Sequence, residues 1–180
     1  KRQLANALMY YYGSQNKPFV YRCINRLDRD TTGLTIVAKH ALAGGILGNA
    51  VAKRAIHRTY YAVCSGCTPA CMRISAPIAR KDASTIERCV DFKRGENAVT
   101  DFIRIKYNPD NNLSLVKLRL LTGRTHQIRV HMKYIGFPLI GDFLYNPDYT
   151  YISRQALHSG RLVFTHPVTG QKMNLISCLL

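Results

Sequence analysis

The stretch Asn25-Arg26-Leu27-Asp28-Arg29-Asp30-Thr31-Thr32-Gly33-Leu34 decides how the rest of the chain is read. Its two acids, Asp28 and Asp30, are the only carboxylates in the first 81 residues, which also hold thirteen Lys and Arg. A surface built to hold a polyanion excludes acids, because each one repels phosphate. An acid kept among that much positive charge has its pKa drawn down and remains an anion near neutrality. The juxtaposition points to a carboxylate that does chemistry on a nucleic acid. The alternative is an ordinary run of surface ion pairs, which contribute little. Phe19 to Ile24 before the stretch and Gly33 to Ala38 within and after it read as strands, the second β-branched and apolar. Asp28 is thereby placed on a loop between two extended segments, where a rigid scaffold commonly carries a functional group.

Further along, Leu4 to Tyr12 is apolar at most positions and meets Gly13, the pattern of a short helix with a C-terminal glycine. Ala41 to Ala55 has the alanine content and the Leu42, Ile46, Leu47 spacing of a helix, despite three glycines that weaken it. Arg58 to Val63 reads as a strand. Thr100 to Lys106 and Leu113 to Leu121 flank the turn sequence Asn108-Pro109-Asp110-Asn111-Asn112 and form a hairpin. Strands outnumber helices and no βαβ alternation is visible. The expected class is α+β, a mostly antiparallel mixed sheet with flanking helices. At 180 residues the chain is read as one domain, residues 1–180, with no internal repeat or linker. It opens at Lys1-Arg2 without a Met and is read as a fragment of a longer product.

A net charge of +16 fits RNA, DNA or an anionic membrane as partner. No apolar run approaches the roughly 18 residues that span a bilayer, and no secretory signal is visible, so a cytoplasmic location is expected. Six cysteines are spaced irregularly for a disulfide framework. Cys64, Cys67 and Cys71 fall close together, but a zinc site needs a fourth ligand, and His57 and Cys89 are at no standard offset. Free thiols and no bound metal are the expectation.

A second chemical cluster is Thr122-Gly123-Arg124-Thr125-His126-Gln127-Ile128-Arg129-Val130-His131. Thr122 or Thr125 can cap a helix running to about Tyr134, stopped by Gly136 and Pro138. Ile128, Met132 and Ile135 supply its buried stripe, while His126, Arg129 and Lys133 share another face and can present a basic row toward a cleft. His126 and His131 sit about 140° apart around such a helix, so they do not form a ligand pair, which needs a separation of four.

Taken together, these segments resemble the RluA-type pseudouridine synthases. Asn25 to Leu34 is similar to that family's H-R-L-D-x-x-T-S-G-L signature. Arg58-Thr59-Tyr60-Tyr61-Ala62 resembles its K-x-Y-x-A segment, and Thr122 to His131 its T-G-R-x-H-Q-I-R-V-H segment. Pro138-Leu139-Ile140-Gly141-Asp142, His158 and Phe164-Thr165-His166-Pro167 also fit, so the likeness runs over roughly residues 4 to 176. Asn25, Thr32 and Arg58 stand where the family usually has His, Ser and Lys. The strand with a K-P-x-G turn and the small S4-type RNA-binding domain that often precede the family's signature have no counterpart in the chain.

The resemblance implies the pseudouridine synthase catalytic fold and isomerisation of a uridine in ribosomal or transfer RNA, without a cofactor, by a monomer. It makes Asp28 the catalytic carboxylate, which attacks C1′ or C6 or removes the C2′ proton. Arg129 pairs with that aspartate. Tyr60 stacks on the extracted base and helps remove the C5 proton. Arg26 fills the space left in the RNA or contacts phosphate; Arg124, His126 and Lys133 are further RNA-binding or supporting candidates. Asp30 is assigned to loop structure, and Leu34, Ile128 and Ile140 to the pocket's apolar support. A catalytically inactive basic RNA-binding module is the competing reading, and it has no need of the Asp, Tyr and Arg triplet.

Overall fold

The computed structural model describes residues 3–178. In chain order the elements are α1 (Leu4–Gly13), β1 (Arg22–Cys23), β2 (Thr32–Gly33), β3 (Val37–Ala38), α2 (Ala41–Ala52), β4 (His57–Ser65), β5 (Cys71–Ser75), β6 (Ile78–Arg80), β7 (Arg88–Val90), β8 (Val99–Asn108), β9 (Leu113–Leu120), α3 (Gln127–Tyr134), β10 (Leu157–Thr165) and β11 (Lys172–Ile176). The main sheet has seven strands in the order β11-β10-β4-β9-β8-β5, with β2 added to β10. All its pairings are antiparallel except β2 with β10. The expected α+β class with a mostly antiparallel mixed sheet is what the chain adopts.

Period-two alternation sets which face of the sheet is buried. Tyr60 lies opposite Leu118, Ala62 opposite Val116, and Leu162 opposite Arg58. These positions project from one face, where Ile128 and Met132 of α3 complete one core and Ala43 and Leu47 of α2 pack against Leu162 and Phe164 in another. The opposite face carries exposed Lys117, Arg119 and Arg161. This is the half-solvated arrangement usual for an antiparallel sheet. Both helices pack on the apolar face, and a cleft opens between the end of α2 and the start of α3.

The left-handed residues explain where sequence expectations and structure part. The helix expected to stop at Gly13 includes it and stops through Asn16 at φ 53. There the amides of Asn16 and Lys17 bond back to the carbonyls of Gly13 and Tyr12. The helix expected to reach Ala55 ends at Ala52, because Arg54 adopts φ 56 and the amides of Arg54 and Ala55 bond to Val51 and Ala50. Both are Schellman closures with a side chain where glycine is usual. The expected strand Gly33 to Ala38 is split into β2 and β3. Gly33 takes φ +102, Leu34 N–H donates to the Ser159 carbonyl, and Ile36 N–H is taken by the Asn25 side chain at 2.8 Å. Phe19 to Ile24 shortens to β1.

Gly33 is where β2 touches β10: a Cβ there would fall 2.3 Å from the Ser159 carbonyl oxygen, in a conformation L-residues rarely adopt. Gly33→Ala is therefore expected to destabilise by about 2–4 kcal/mol. Gly48→Ala, in α2 with nothing within 4 Å of the new methyl, should instead stabilise by about 0.5–1 kcal/mol. Urea unfolding of both variants against the parent checks the contrast.

Candidate active site

Asp28 opens a four-residue turn closed by Thr31 N–H donating to the Asp28 carbonyl at 3.1 Å. Its carboxylate is 26% exposed at the floor of a cleft of about 750 Å³ between the ends of α2 and the start of α3. Arg26, Arg54, Arg58, Arg124 and Arg129 line that cleft, and among the described residues Asp28 is its one carboxylate. Three of the thirteen cations in the first 81 residues, Arg26, Arg54 and Arg58, thus stand around Asp28 in this cleft.

Arg129, on the first turn of α3, is 1% exposed. Its Nη1 reaches Asp28 Oδ2 at 3.4 Å, while Nε and Nη2 make a two-pronged pair with Asp142 at 2.7 Å each. Asp142 is completely buried, and its Oδ1 also accepts from the amides of Leu144 and Tyr145. The rings of Phe143 and Tyr145 lie 5.3 and 5.0 Å from the guanidinium carbon. A planar fork with five donors can bind one acid bidentately and still offer a proton to another; an ammonium cannot reproduce that geometry.

Tyr60, on β4, is 5% exposed and lines the same cleft. Burial pushes its hydroxyl pKa up, with the Arg58 charge opposing and the Asp28 charge adding to the rise. At neutral pH it is a neutral phenol. Of the other expected residues, Arg26 is exposed on the cleft wall. Arg124 is held by Glu96 and by the Asn97 carbonyl at 3.1 Å. Neither expected threonine caps α3: the N-cap is His126, left-handed at φ 57, with its Nδ1 2.9 Å from the Tyr145 hydroxyl. Thr122 instead receives the Val99 amide and donates to Gln127 Oε1. The expected basic row does not form, since Arg129 is buried and Lys133 is exposed outside the cleft lining, its ammonium over the Tyr145 ring. Asp30 pairs with Arg29 at 3.3 Å, as a loop residue should. Cys64 is buried, its thiol pushed up to about 12 by burial, whereas Cys67 and Cys71 are exposed. Among the described residues no three His, Cys, Asp or Glu side chains are arranged to hold a metal.

With the cleft described, the chain can be set beside known proteins. A family model described as RNA pseudouridylate synthase matches residues 2–134. The chain belongs to the RNA pseudouridylate synthase family. It is 44% identical over 172 residues to an uncharacterized RNA pseudouridine synthase of Bacillus subtilis, YjbO, covering 94% of this chain and 59% of the relative. It is 38% identical over 188 residues to ribosomal large subunit pseudouridine synthase D of Haemophilus ducreyi, covering 96% and 56%. The solved structure of human RNA pseudouridylate synthase domain containing 1 superposes with a TM-score of 0.82 at 25% identity, over 98% of this chain and 74% of that one. The chain thus spans little more than half the length of these curated relatives.

Within this member of the family, the cleft holds a residue that the motifs alone did not mark. Arg54 enters through the left-handed corner after α2. Asp142 was visible only as part of Pro138 to Asp142, with no sign that it would be the main partner of Arg129. Behind the cleft, Gln127 Nε2 donates to Thr100 Oγ1, and Thr100 Oγ1 lies 2.9 Å from His131 Nδ1. His131 Nε2 lies 2.9 Å from the Ala76 carbonyl, which can only accept, so Nε2 carries the proton and Nδ1 takes that of Thr100.

Removing one partner of a buried ion pair strands the other charge, so Asp142→Ala should cost about 3–5 kcal/mol by urea unfolding. Burial also lowers the pKa of His131, and the bond to Ala76 offsets this only in part. The unfolded chain then takes up its proton near pH 6.5 while the folded chain does not. Stability should accordingly fall as pH drops below about 6.5, by up to about 1.4 kcal/mol per pH unit. Unfolding measured across that window, with His131→Gln showing a shallower fall, checks the sign.

Proposed function

We propose that this protein converts a uridine in RNA to pseudouridine, with Asp28 as the catalytic carboxylate. The observation that carries the reading is the position of Asp28 as the lone acid of an arginine-lined cleft, within reach of a buried arginine. Arginines suit a phosphate backbone, and one fixed anion among them suits chemistry at the ribose–base junction. The reaction breaks N1–C1′, turns the base, forms C5–C1′ and releases the C5 proton as N1 gains one. Atoms and electrons balance, so no cofactor is required. Attack at C1′ or C6 and removal of the C2′ proton all need an ionised Asp28, which Arg129 supports electrostatically.

Reaching C1′ requires the nucleotide to leave its stack. Tyr60, flat and neutral at the cleft floor, offers a ring face to the base. Its raised pKa makes free phenolate scarce, so any part in removing the C5 proton runs through hydrogen bonding. Arg26, on the exposed wall, is positioned to meet the RNA where the base was. Structured ribosomal RNA is the first substrate to test, since relatives of the chain are named ribosomal large subunit pseudouridine synthase D, with transfer RNA second. We place its action in the cytoplasm, where such substrates are abundant.

The test is tritium release from RNA labelled at uridine C5. The parent protein is expected to release label and Asp28→Asn to release none, while both bind RNA alike. Full release by Asp28→Asn would remove Asp28 from its role. Binding without release by the parent would favour an inactive RNA-binding module. Affinity should weaken steeply with salt, because phosphate contacts displace counterions; a flat response would contradict an arginine-lined RNA cleft.

A further inference from the structure

Gln155, two residues before β10, is fully buried. Its side-chain Nε2 donates to the Arg29 carbonyl and, at 3.1 Å, to Thr31 Oγ1. Both acceptors lie inside the turn that begins at Asp28. Its Oε1 has no protein partner among the described residues, so only the donor side of the amide is used.

The turn has a specific need for that donor. Of its two central residues only Asp30 has positive φ, at 67°. With the Thr31 amide on the Asp28 carbonyl this is a type II arrangement, in which the central peptide is flipped relative to type I. The oxygen of that flipped peptide belongs to Arg29, and Gln155 holds it. Type II turns favour glycine where Asp30 stands, since an L-residue there is disfavoured. The Arg29–Asp30 ion pair cannot secure the turn, because its side chains are 85% and 42% exposed. The segment leaving the turn is fixed to the same strand by Thr32 Oγ1, 2.8 Å from His158 Nδ1, and by the Leu34 amide on Ser159. Asp28 stands at the other end of the turn, 3.4 Å from Arg129, a separation that a loosened turn would lose.

We propose that Gln155 is a positioning residue for the reaction: its amide holds the Arg29–Asp30 peptide flipped and so keeps the Asp28 carboxylate against Arg129. This rests on Asp28 being the catalytic carboxylate. Gln155→Met keeps the volume and removes the donor. Turnover at saturating RNA is expected to fall about tenfold or more with RNA affinity unchanged, since small misplacements of a reacting group are costly. Adding Asp30→Gly, which removes the conformational penalty, should restore much of the lost turnover. Turnover of Gln155→Met within about twofold of the parent, or a loss that Asp30→Gly leaves untouched, overturns the proposal.

Two further readouts keep the test decisive. Hydrogen exchange at the Thr31 amide should speed up in Gln155→Met and slow again with Asp30→Gly, whatever the protein's activity; unchanged exchange overturns the proposal. An inactive parent with the expected exchange pattern would instead sink the pseudouridine reading and leave the clamp standing. Where Gln155→Met fails to fold, Gln155→Glu replaces it. As a neutral acid Glu can donate to the Arg29 carbonyl, so its turnover relative to the parent should rise from about pH 8 to about pH 6. A flat ratio counts against the clamp.

Discussion

The constraint on which the rest depends is the burial of one guanidinium between two acids. Moving Arg129 and Asp142 out of water is expensive unless nearly every polar group finds a partner. Here the two-pronged contact, two backbone amides on Asp142 and two aromatic rings beside Arg129 meet that demand. The pair is therefore locked. Its third nitrogen, Nη1, emerges at Asp28, so the carboxylate meets a cation that cannot swing away. An exposed arginine would be freer to move and would be screened by salt and water.

The sheet turns that local contact into a cleft. β4 supplies Tyr60, and β10 next to it receives the Asp28 segment through a short parallel pairing. Gly160 bulges there, and its bare Cα leaves room for the Tyr61 ring, which a Cβ would meet at 2.6 Å. The corner after α2 and the start of α3 then bring arginines in from both sides. Residues from four separate stretches converge because the shared apolar face fixes both helices.

Much of this was legible because the decisive residues cluster in sequence. Asp28, Tyr60 and Arg129 each sit in a compact motif, and the hairpin of β8 and β9 announced itself through alternation and its turn. The expected strand Gly33 to Ala38 owes its break to bonds from Asn25 and Ser159 that no local pattern encodes. β10 and β11 were not read as strands; only His158 and Phe164 to Pro167 were picked out there, through the resemblance. Lys133 was misplaced by a helical wheel that cannot tell cleft from solvent. Asp142 and Gln155 were hidden for the same reason: each acts on a partner far away in the chain, and a lone acid or amide carries no periodicity. The left-handed Asn16, Arg54 and His126 escaped because glycine, the usual marker of that conformation, is absent there.

The central claim is that a fully buried pair sets the chemistry at Asp28. Asp142 touches no reacting atom, so its influence must pass through Arg129. The most direct measurement is turnover of Asp142→Asn on saturating RNA, at a temperature where circular dichroism shows the variant folded. The account predicts that turnover collapses while RNA binding persists. A folded Asp142→Asn with the parent's turnover would contradict it.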